Sequence, residues 1–253
     1  FSHKGYKYYH IFADMNAITR NIPNIITLAN LFCGLCAIIF AFQGNLQLAS
    51  FCIFAGAFFD FFDGLAARLL KVTGELGKQL DSMADMVTFG VAPGMILFQL
   101  IYYSQTISFF QSDIKDPNLF PAILAFLLPI FSAIRLAKFN IDTRQANSFI
   151  GLPTPVLAIF VAAIPLINTD LFPLFSDLRF LILFSTILPL LLVAKIPLFS
   201  LKFSKEESMA SILTLFRIIL ILSSLVLLSV FQFAAIPFIV ILYLILSLLN
   251  NIL

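Results

Sequence analysis

The sequence predicts an all-α integral membrane protein, built as a helical bundle of about eight transmembrane helices. Of its 253 residues, 61% are hydrophobic and 11% are charged, whereas a soluble domain carries roughly 25% charged residues. The apolar residues gather into runs of about 20, the length that an α-helix needs to cross the hydrocarbon core of a bilayer. Short polar segments separate the runs, and no segment has the composition of a soluble domain.

The apolar runs define the helices in chain order. The fifth run is the shortest and contains Pro165, which interrupts helical hydrogen bonding. We predict a polar N-terminal tail over residues 1–19 and a single membrane domain over residues 20–250. Residues 1–14 differ in character from the rest, so they could be non-native, with Met15 as the natural start. The predicted spans cover residues 24–42, 46–68, 82–104, 118–139, 153–170, 178–197, 208–230 and 233–250.

The basic residues predict the orientation of the bundle. If the first span starts from the cytoplasm, only Lys115 and Arg179 fall on the far side, as the positive-inside rule requires. Both termini and the segment 69–81, predicted as a loop, then face the cytoplasm. Arg217 lies within the seventh run, nearer its cytoplasmic end. The residues on the cytoplasmic side are Lys4, Lys7, Arg20, Arg68, Lys71, Lys78, Arg135, Lys138, Arg144, Lys195, Lys202 and Lys205.

Composition excludes several classes of function. The net charge of +2 is too small to indicate a nucleic-acid partner. The two histidines, His3 and His10, lie in the polar tail, which argues against a histidine-based zinc site or catalytic triad. Cys33, Cys36 and Cys52 all fall within apolar runs, where inert buried thiols are expected rather than a redox centre.

Two pairs of aspartates form the most informative pattern in the chain. Asp60 and Asp63 are three residues apart, and Asp81 and Asp85 are four apart, so on helices each pair shares a face. Carboxylates at a membrane are costly unless they are paired or bind a cation. The short segment between the pairs makes the second and third spans antiparallel neighbours, which brings all four together. Such an oxygen-only site suits Mg²⁺ or Mn²⁺.

Small residues and one arginine accompany the aspartates. Gly64 and Gly77 lack a Cβ atom, so backbone can approach a bulky ligand or another helix, and Ala67 keeps the same wall shallow. Arg68 could bind a phosphate or neutralise the acidic cluster. Together these residues suit a metal-bound pyrophosphate. Taken singly, an aspartate here could equally form a structural salt bridge or cap a helix, and Asp81 could be a partner of the helix dipole.

In register these positions spell D-x2-D-G-x2-A-R-x8-G-x3-D-x3-D, which resembles the signature of the CDP-alcohol phosphatidyltransferase family. The resemblance implies a six-helix membrane core, often dimeric, so a homodimer is expected. The last two predicted helices would then be C-terminal additions that the signature does not explain.

The resemblance also implies a role for each signature residue. Asp85 would be the general base and could touch a second metal. The remaining carboxylates would be metal ligands, and the small residues and the arginine would line the pocket for CDP. The implied metal ligands are Asp60, Asp63, Asp81 and Asp85, and the implied CDP-binding residues are Gly64, Ala67, Arg68 and Gly77.

Three further stretches are similar to the membrane-integral phosphatidylserine synthases of bacteria and archaea. The first is residues 22–34 (IPNIITLANLFCG), and the second is residues 88–93 (TFGVAP). The third has two parts, residues 135–140 (RLAKFN) followed by residues 149–155 (FIGLPTP). The resemblance implies CDP-diacylglycerol and L-serine as substrates, with membrane lipids around the protein. It also implies a bacterial cytoplasmic membrane, with the active site facing the cytoplasm.

Polar residues outside the signature are candidates for the acceptor pocket. Arg135 and Lys138 are three residues apart on one predicted helix face. They could bind the serine carboxylate or the lipid phosphate, or they could simply be positive-inside flanking charges. Asn30, inside an apolar helix, could contact the nucleotide or the metal cluster, or hydrogen-bond a neighbouring helix.

Rival interpretations predict different features. A sister enzyme that accepts glycerol 3-phosphate or an inositol phosphate would need a denser cationic pocket than Arg135 and Lys138 provide. A membrane prenyltransferase would place its acidic motifs far apart in sequence, whereas Asp63 and Asp81 are close. An ion-coupled transporter would need inverted repeats and charges at mid-membrane, but the last four predicted spans hold almost no polar residues apart from Arg217.

Overall fold

The computed structural model describes residues 3–72, 74–104, 119–141, 149–199 and 212–252. Within these ranges the chain is helical apart from two-residue strands and short connections. The helices are α1 (His3–Phe42), α2 (Leu46–Leu69), α3 (Glu75–Asp85), α4 (Ala92–Tyr102), α5 (Leu119–Ile123), α6 (Leu127–Ile141), α7 (Thr154–Ala163), α8 (Leu178–Val193), α9 (Ile212–Phe231) and α10 (Ala235–Ile252). A π-helical segment, Met86–Val91, joins α3 to α4, and 3₁₀ turns cover Leu124–Phe126, Ile164–Leu166, Pro173–Ser176 and Gln232–Ala234.

Five helical stretches in the described part of the chain are long and apolar enough to cross a membrane. The last of them, Ile212–Asn251, contains both α9 and α10. Two further apolar stretches, Thr154–Leu166 and Leu178–Val193, are shorter; at 1.5 Å per residue the first is about 20 Å long, less than the bilayer core. The prediction of an all-α membrane protein is confirmed, and the count of eight crossings stays a prediction. The other four stretches are Asn21–Phe42, Leu46–Leu69, Glu75–Tyr102 and Leu119–Ile141.

Two polar segments of the sequence prove to be helical. Helix α1 begins at His3, so the predicted tail continues into the first span. The predicted loop 69–81 shrinks to a short turn, because α2 continues to Leu69 and α3 begins at Glu75. Gly74 is the N-cap of α3. The negative charge of Glu75 in the first turn interacts favourably with the positive end of the helix dipole. Asp81 therefore lies inside a helix rather than at its start.

A close contact of three segments fixes the centre of the bundle. Thr88, in the π-helical segment, donates from Oγ1 to the Asn30 carbonyl of α1 over 3.0 Å. A Cβ atom added to Gly56 of α2 would lie 2.5 Å from Thr88 Cγ2, and one added to Gly34 of α1 would also clash with Thr88. Only glycine allows such an approach. The contact therefore sets the position of the helix that carries Asp85.

The strands form one small antiparallel pair. Strand β1 (Phe149–Ile150) pairs with β2 (Pro197–Leu198), with Phe149 opposite Leu198 and Ile150 opposite Pro197. The pair joins the segment before α7 to the segment after α8. It therefore ties two connections together at one end of the bundle.

Candidate active site

Helices α2 and α3 bring three of the predicted carboxylates to one point. Asp60, Asp63 and Asp81 each offer an oxygen atom, and these atoms all lie within 4.8 Å of one another. Asp63 is buried and the other two are half-buried. Three convergent carboxylate oxygens match the donor set that hard divalent cations prefer. The site therefore fits a divalent cation.

Asp85 lies deeper than this cluster and has its own partners. Its side chain is 9% exposed, and Asn30 Nδ2 donates to its Oδ1 over 3.3 Å. The carboxyl groups of Asp60 and Asp85 also lie within hydrogen-bonding reach of each other. Two ionised carboxylates repel each other at short range, which favours a shared proton or a cation beside them. Asp85 therefore adjoins the three-carboxylate cluster through Asp60.

Thr27 is a site residue that the sequence prediction missed. Its hydroxyl donates to Asp63 Oδ2 over 2.6 Å and lies 3.0 Å from the Pro23 carbonyl oxygen. Thr27 is 4% exposed, so the carboxylate has this partner out of solvent. One signal was available in the sequence, because Asn24, Thr27 and Asn30 recur every three residues along an otherwise apolar helix.

A cavity of about 900 Å³ opens above the three-carboxylate cluster. The predicted small residues of the CDP pocket, Gly64, Ala67 and Gly77, all line it. Apart from the backbone of its own helix and its chain neighbours, no atom of the described residues lies within 4 Å of the place where a Gly64 Cβ would stand, so that wall is open to a ligand. Further lining residues come from α1 and α3, namely Asn21, Asn24, Thr27, Glu75, Lys78 and Asp81.

Two residues predicted to bind CDP lie outside the cavity lining. Arg68 is exposed, and its Nε donates to the Gly64 carbonyl over 3.0 Å. Asn30 is fully buried beneath the cavity and contacts Asp85 instead. Their contact with CDP stays a prediction. The geometry gives Asn30 a defined role in orienting Asp85.

Lys78 brings a positive charge to the cavity wall, where the sequence indicated only a flanking charge. Its Nζ donates to the Asn140 carbonyl at the end of α6 over 2.7 Å. The Asn140 side chain in turn exchanges hydrogen bonds with Ser82 Oγ, at 2.8 and 3.2 Å. These contacts fasten α3 to α6. They hold an ammonium group where a pyrophosphate would enter.

The structure separates the two predicted residues of the acceptor pocket. Arg135 is 9% exposed, and its Nη1 donates to Thr154 Oγ1 over 2.9 Å. Its guanidinium charge interacts with the Asp85 carboxylate, and its Nε has no hydrogen-bond partner within the described residues. Lys138 is exposed. Arg135 is therefore buried where its charge interacts with that of Asp85, whereas Lys138 is exposed.

The sequence profile of the CDP-alcohol phosphatidyltransferase family matches residues 20–195. The chain belongs to this family. It is also similar to proteins named CDP-diacylglycerol–serine O-phosphatidyltransferase. The protein from Bacillus subtilis strain 168 is 41% identical over 134 residues, 53% of this chain and 69% of the relative. The one from Helicobacter pylori strain J99 is 33% identical over 207 residues, 81% of this chain and 80% of the relative.

An archaeal relative carries a related name. The archaetidylserine synthase of Methanothermobacter thermautotrophicus is 29% identical over 147 residues, which is 56% of each chain. Family membership confirms that the aspartate signature identifies a CDP-alcohol phosphatidyltransferase, and the roles of its residues stay predictions. The signature residues Asp60, Asp63 and Asp81 therefore meet in a member of a phosphatidyltransferase family.

Proposed function

We propose that this protein transfers the phosphatidyl group of CDP-diacylglycerol to the hydroxyl group of L-serine, which yields phosphatidylserine and CMP. The names of the bacterial relatives support the reaction. The structural observation that carries it is the cluster of Asp60, Asp63 and Asp81 on a cavity, with Asp85 and Arg135 buried nearby and their charges interacting. The arrangement offers a cation site, a proton acceptor and a fixed positive charge in one place.

The three-carboxylate cluster would hold Mg²⁺ or Mn²⁺, which when bound would screen the negative charge of the pyrophosphate. Asp63 is kept in orientation by the Thr27 hydroxyl. Lys78 on the cavity wall adds a second positive charge for the phosphates. Gly64, Ala67 and Gly77 leave room for the CDP moiety, and Arg68 at the rim is the further residue proposed for it.

Asp85 would accept the proton of the serine hydroxyl while the serine oxygen attacks the phosphorus that bears diacylglycerol. A new bond forms between that oxygen and the phosphorus, the pyrophosphate bond to CMP breaks, and CMP leaves. A serine hydroxyl is a weak nucleophile at neutral pH, so the base must stand within hydrogen-bonding reach of it. Asn30 supports this role because it fixes one oxygen of Asp85. The remaining catalysis is positioning and charge stabilisation.

Arg135 would bind the carboxylate of serine or the phosphate of the lipid. A guanidinium donates hydrogen bonds to such groups in a fixed planar geometry. Its unpartnered Nε and its place beside Asp85 favour this role. Lys138, which is exposed, would act on incoming anions at the surface.

In the membrane, we propose eight crossings with both termini in the cytoplasm, from the six-helix family core and the C-terminal pair α9 and α10. The α7 and α8 stretches would be the two short crossings. The cavity would then open toward the cytoplasm of a bacterial cell. The proposed assembly is a homodimer embedded in membrane lipids. In each protomer residues 20–250 would form one domain, which follows the N-terminal segment 1–19.

The test is incorporation of radiolabelled serine by the purified protein in detergent, with CDP-diacylglycerol and with or without Mg²⁺ or Mn²⁺. Metal-dependent formation of phosphatidylserine and CMP is expected. If CMP is released only with glycerol 3-phosphate or an inositol phosphate, the reaction class of the family holds, but the acceptor is that alcohol and not serine. Failure to release CMP with every alcohol and both metals, from folded protein, would refute the proposed reaction.

A further inference from the structure

The C-terminal helices α9 and α10 lie beyond the family match, which ends at residue 195. Strand β2 also lies just beyond it. Helix α10 nevertheless packs against both β2 and α7, the helix that begins with Thr154. A contact route therefore leads from outside the family core to the partner of Arg135.

Helix α10 holds the strand β2 through two side-chain hydrogen bonds. The Tyr243 hydroxyl donates to the Phe199 carbonyl over 2.9 Å, and Asn251 Nδ2 donates to the Pro197 carbonyl over 2.7 Å. The Tyr243 and Phe199 rings meet edge to face with centroids 5.2 Å apart. Tyr243 is 9% exposed, so its hydroxyl bond lies largely out of solvent. The residues directly after α8 are thus fixed to α10.

The same residues hold the segment that precedes α7. Beyond the pairing of β1 with β2, Gly151 N donates to the Ile196 carbonyl and Leu152 N donates to the Leu191 carbonyl, each over 2.9 Å. Gly151 has a φ of +79°, and a Cβ there would lie 2.6 Å from the Leu192 carbonyl oxygen. Only glycine adopts this positive φ without strain and also leaves room for the carbonyl oxygen. The segment therefore rests on the end of α8 and on the residues that α10 holds.

The segment 149–153 determines where Thr154 lies relative to Arg135. Thr154 is fully buried, and prolines at positions 153 and 155 restrict the backbone on both sides of it. A shift of residues 149–152 would therefore move the Thr154 hydroxyl with them rather than be absorbed in between. That hydroxyl accepts the 2.9 Å hydrogen bond from Arg135 Nη1.

We propose that α10 positions Arg135 through a brace formed by residues 149–154, residues 196–199, Tyr243 and Asn251. Tyr243, Asn251 and Thr154 are then positioning residues that act on the acceptor pocket without touching substrate. The inference rests on the proposed function, in which Arg135 binds an acceptor or lipid anion. It gives the C-terminal helix α10 a role in the reaction: it keeps the guanidinium where its charge interacts with Asp85.

The test compares the acceptor KM with kcat and with the KM for CDP-diacylglycerol. Tyr243→Phe deletes one hydroxyl, and one hydrogen bond corresponds to about a three- to tenfold change in an equilibrium. We expect the serine KM to rise by about that factor in Tyr243→Phe and Asn251→Ala, with kcat and the KM for CDP-diacylglycerol changed less than about twofold. Thr154→Val is expected to raise the serine KM at least as much, and Thr154→Ser to restore it.

A double-mutant cycle separates the brace from general packing. Adding Tyr243→Phe to Thr154→Val is expected to cause no further rise in KM, because both changes act on one bond of Arg135. Tyr103→Phe is the matched control, since Tyr103 is exposed at the end of α4, outside the brace. It should leave all three kinetic constants unchanged. Thermal unfolding of each variant in detergent measures any loss of fold.

Three results would overturn the brace. The first is an unchanged serine KM in both Tyr243→Phe and Asn251→Ala while Thr154→Val raises it. The second is a joint change of kcat and both KM values together with a lower melting temperature, which indicates loss of packing only. The third is an acceptor KM that stays unchanged in Arg135→Lys, because that result would show that Arg135 does not bind the acceptor. If the wild-type protein uses another alcohol, the proposed acceptor is wrong, and the same comparison is made with that alcohol.

Discussion

Replacing Thr27 by valine should weaken metal binding without unfolding the protein. The substitution keeps the shape of the side chain and removes the hydroxyl that donates to Asp63 Oδ2 over 2.6 Å. Both residues are buried, at 4% and 6% exposed, so water cannot readily replace the lost donor. A hydrogen bond to a charged group contributes about 1.5–3 kcal/mol, and about 1.4 kcal/mol is a tenfold change in affinity. The affinity of the cluster for its cation should therefore fall by roughly 10- to 100-fold, as is typical when a partner of a metal ligand is lost.

The assay is CMP release as a function of Mg²⁺ or Mn²⁺ concentration at saturating substrates. For Thr27→Val the concentration that gives half-maximal rate should rise by that factor, and saturating metal should recover most of the rate. Thr27→Ser keeps the donor and should behave like the wild type. Thr186→Val is a matched control, because within the described residues the Thr186 hydroxyl donates to backbone carbonyls of its own helix. A half-saturating concentration within twofold of the wild type for Thr27→Val would refute the role assigned to Thr27.

Three more results should follow from the same geometry. Asp85→Asn should lower kcat by about 10²- to 10⁴-fold, the usual contribution of a general base, and leave CDP-diacylglycerol binding largely intact in an equilibrium binding assay. Gly56→Ala should cost about 1–3 kcal/mol of stability in thermal unfolding, because its Cβ would meet Thr88 at 2.5 Å, whereas Gly64→Ala should not. A chelator should abolish CMP release, and added Mg²⁺ or Mn²⁺ should restore it; activity in chelator would contradict the metal role.

Local spacing was enough to predict that carboxylates from two helices meet. The pairs 60/63 and 81/85 have spacings that share a helix face, and only a short turn joins α2 to α3, so the carboxylates of Asp60, Asp63 and Asp81 stay close together. The length of that connection was misjudged because the polar residues before Asp81 resemble a loop in hydropathy. They form instead the solvent-facing side of the amphipathic helix α3.

Contacts between distant segments could not be predicted in the same way. Thr27 and Asp63 are 36 residues apart, and Thr154 and Arg135 are 19 apart across a chain reversal. Neither pair follows from helical periodicity, because each depends on how whole helices pack. The π-helical turn after Asp85 is likewise a product of packing, since its Thr88 fits against glycines of α1 and α2.

The proposed antiparallel course of α2 and α3 would divide the four aspartates into two levels. In the proposed orientation α2 would run toward the cytoplasmic face and α3 away from it, which would place Asp60 farther from that face than Asp63, and Asp85 farther than Asp81. At 1.5 Å per residue the levels differ by about 4.5 Å on α2 and about 6 Å on α3. The deep pair, Asp60 and Asp85, is the one within hydrogen-bonding reach.

The two levels have different surroundings, which suits different chemical roles. Asp63 and Asp81 line the cavity where the pyrophosphate of a lipid nucleotide would enter. Asp85 lies below it, between the amide of Asn30 and the charge of Arg135. Asp60 lines the cavity and also reaches Asp85, so it belongs to both levels. In the proposed reaction the upper oxygens would hold the cation, Asp85 would accept the proton, and Asp60 would adjoin both, so the two functions would act close together on one substrate.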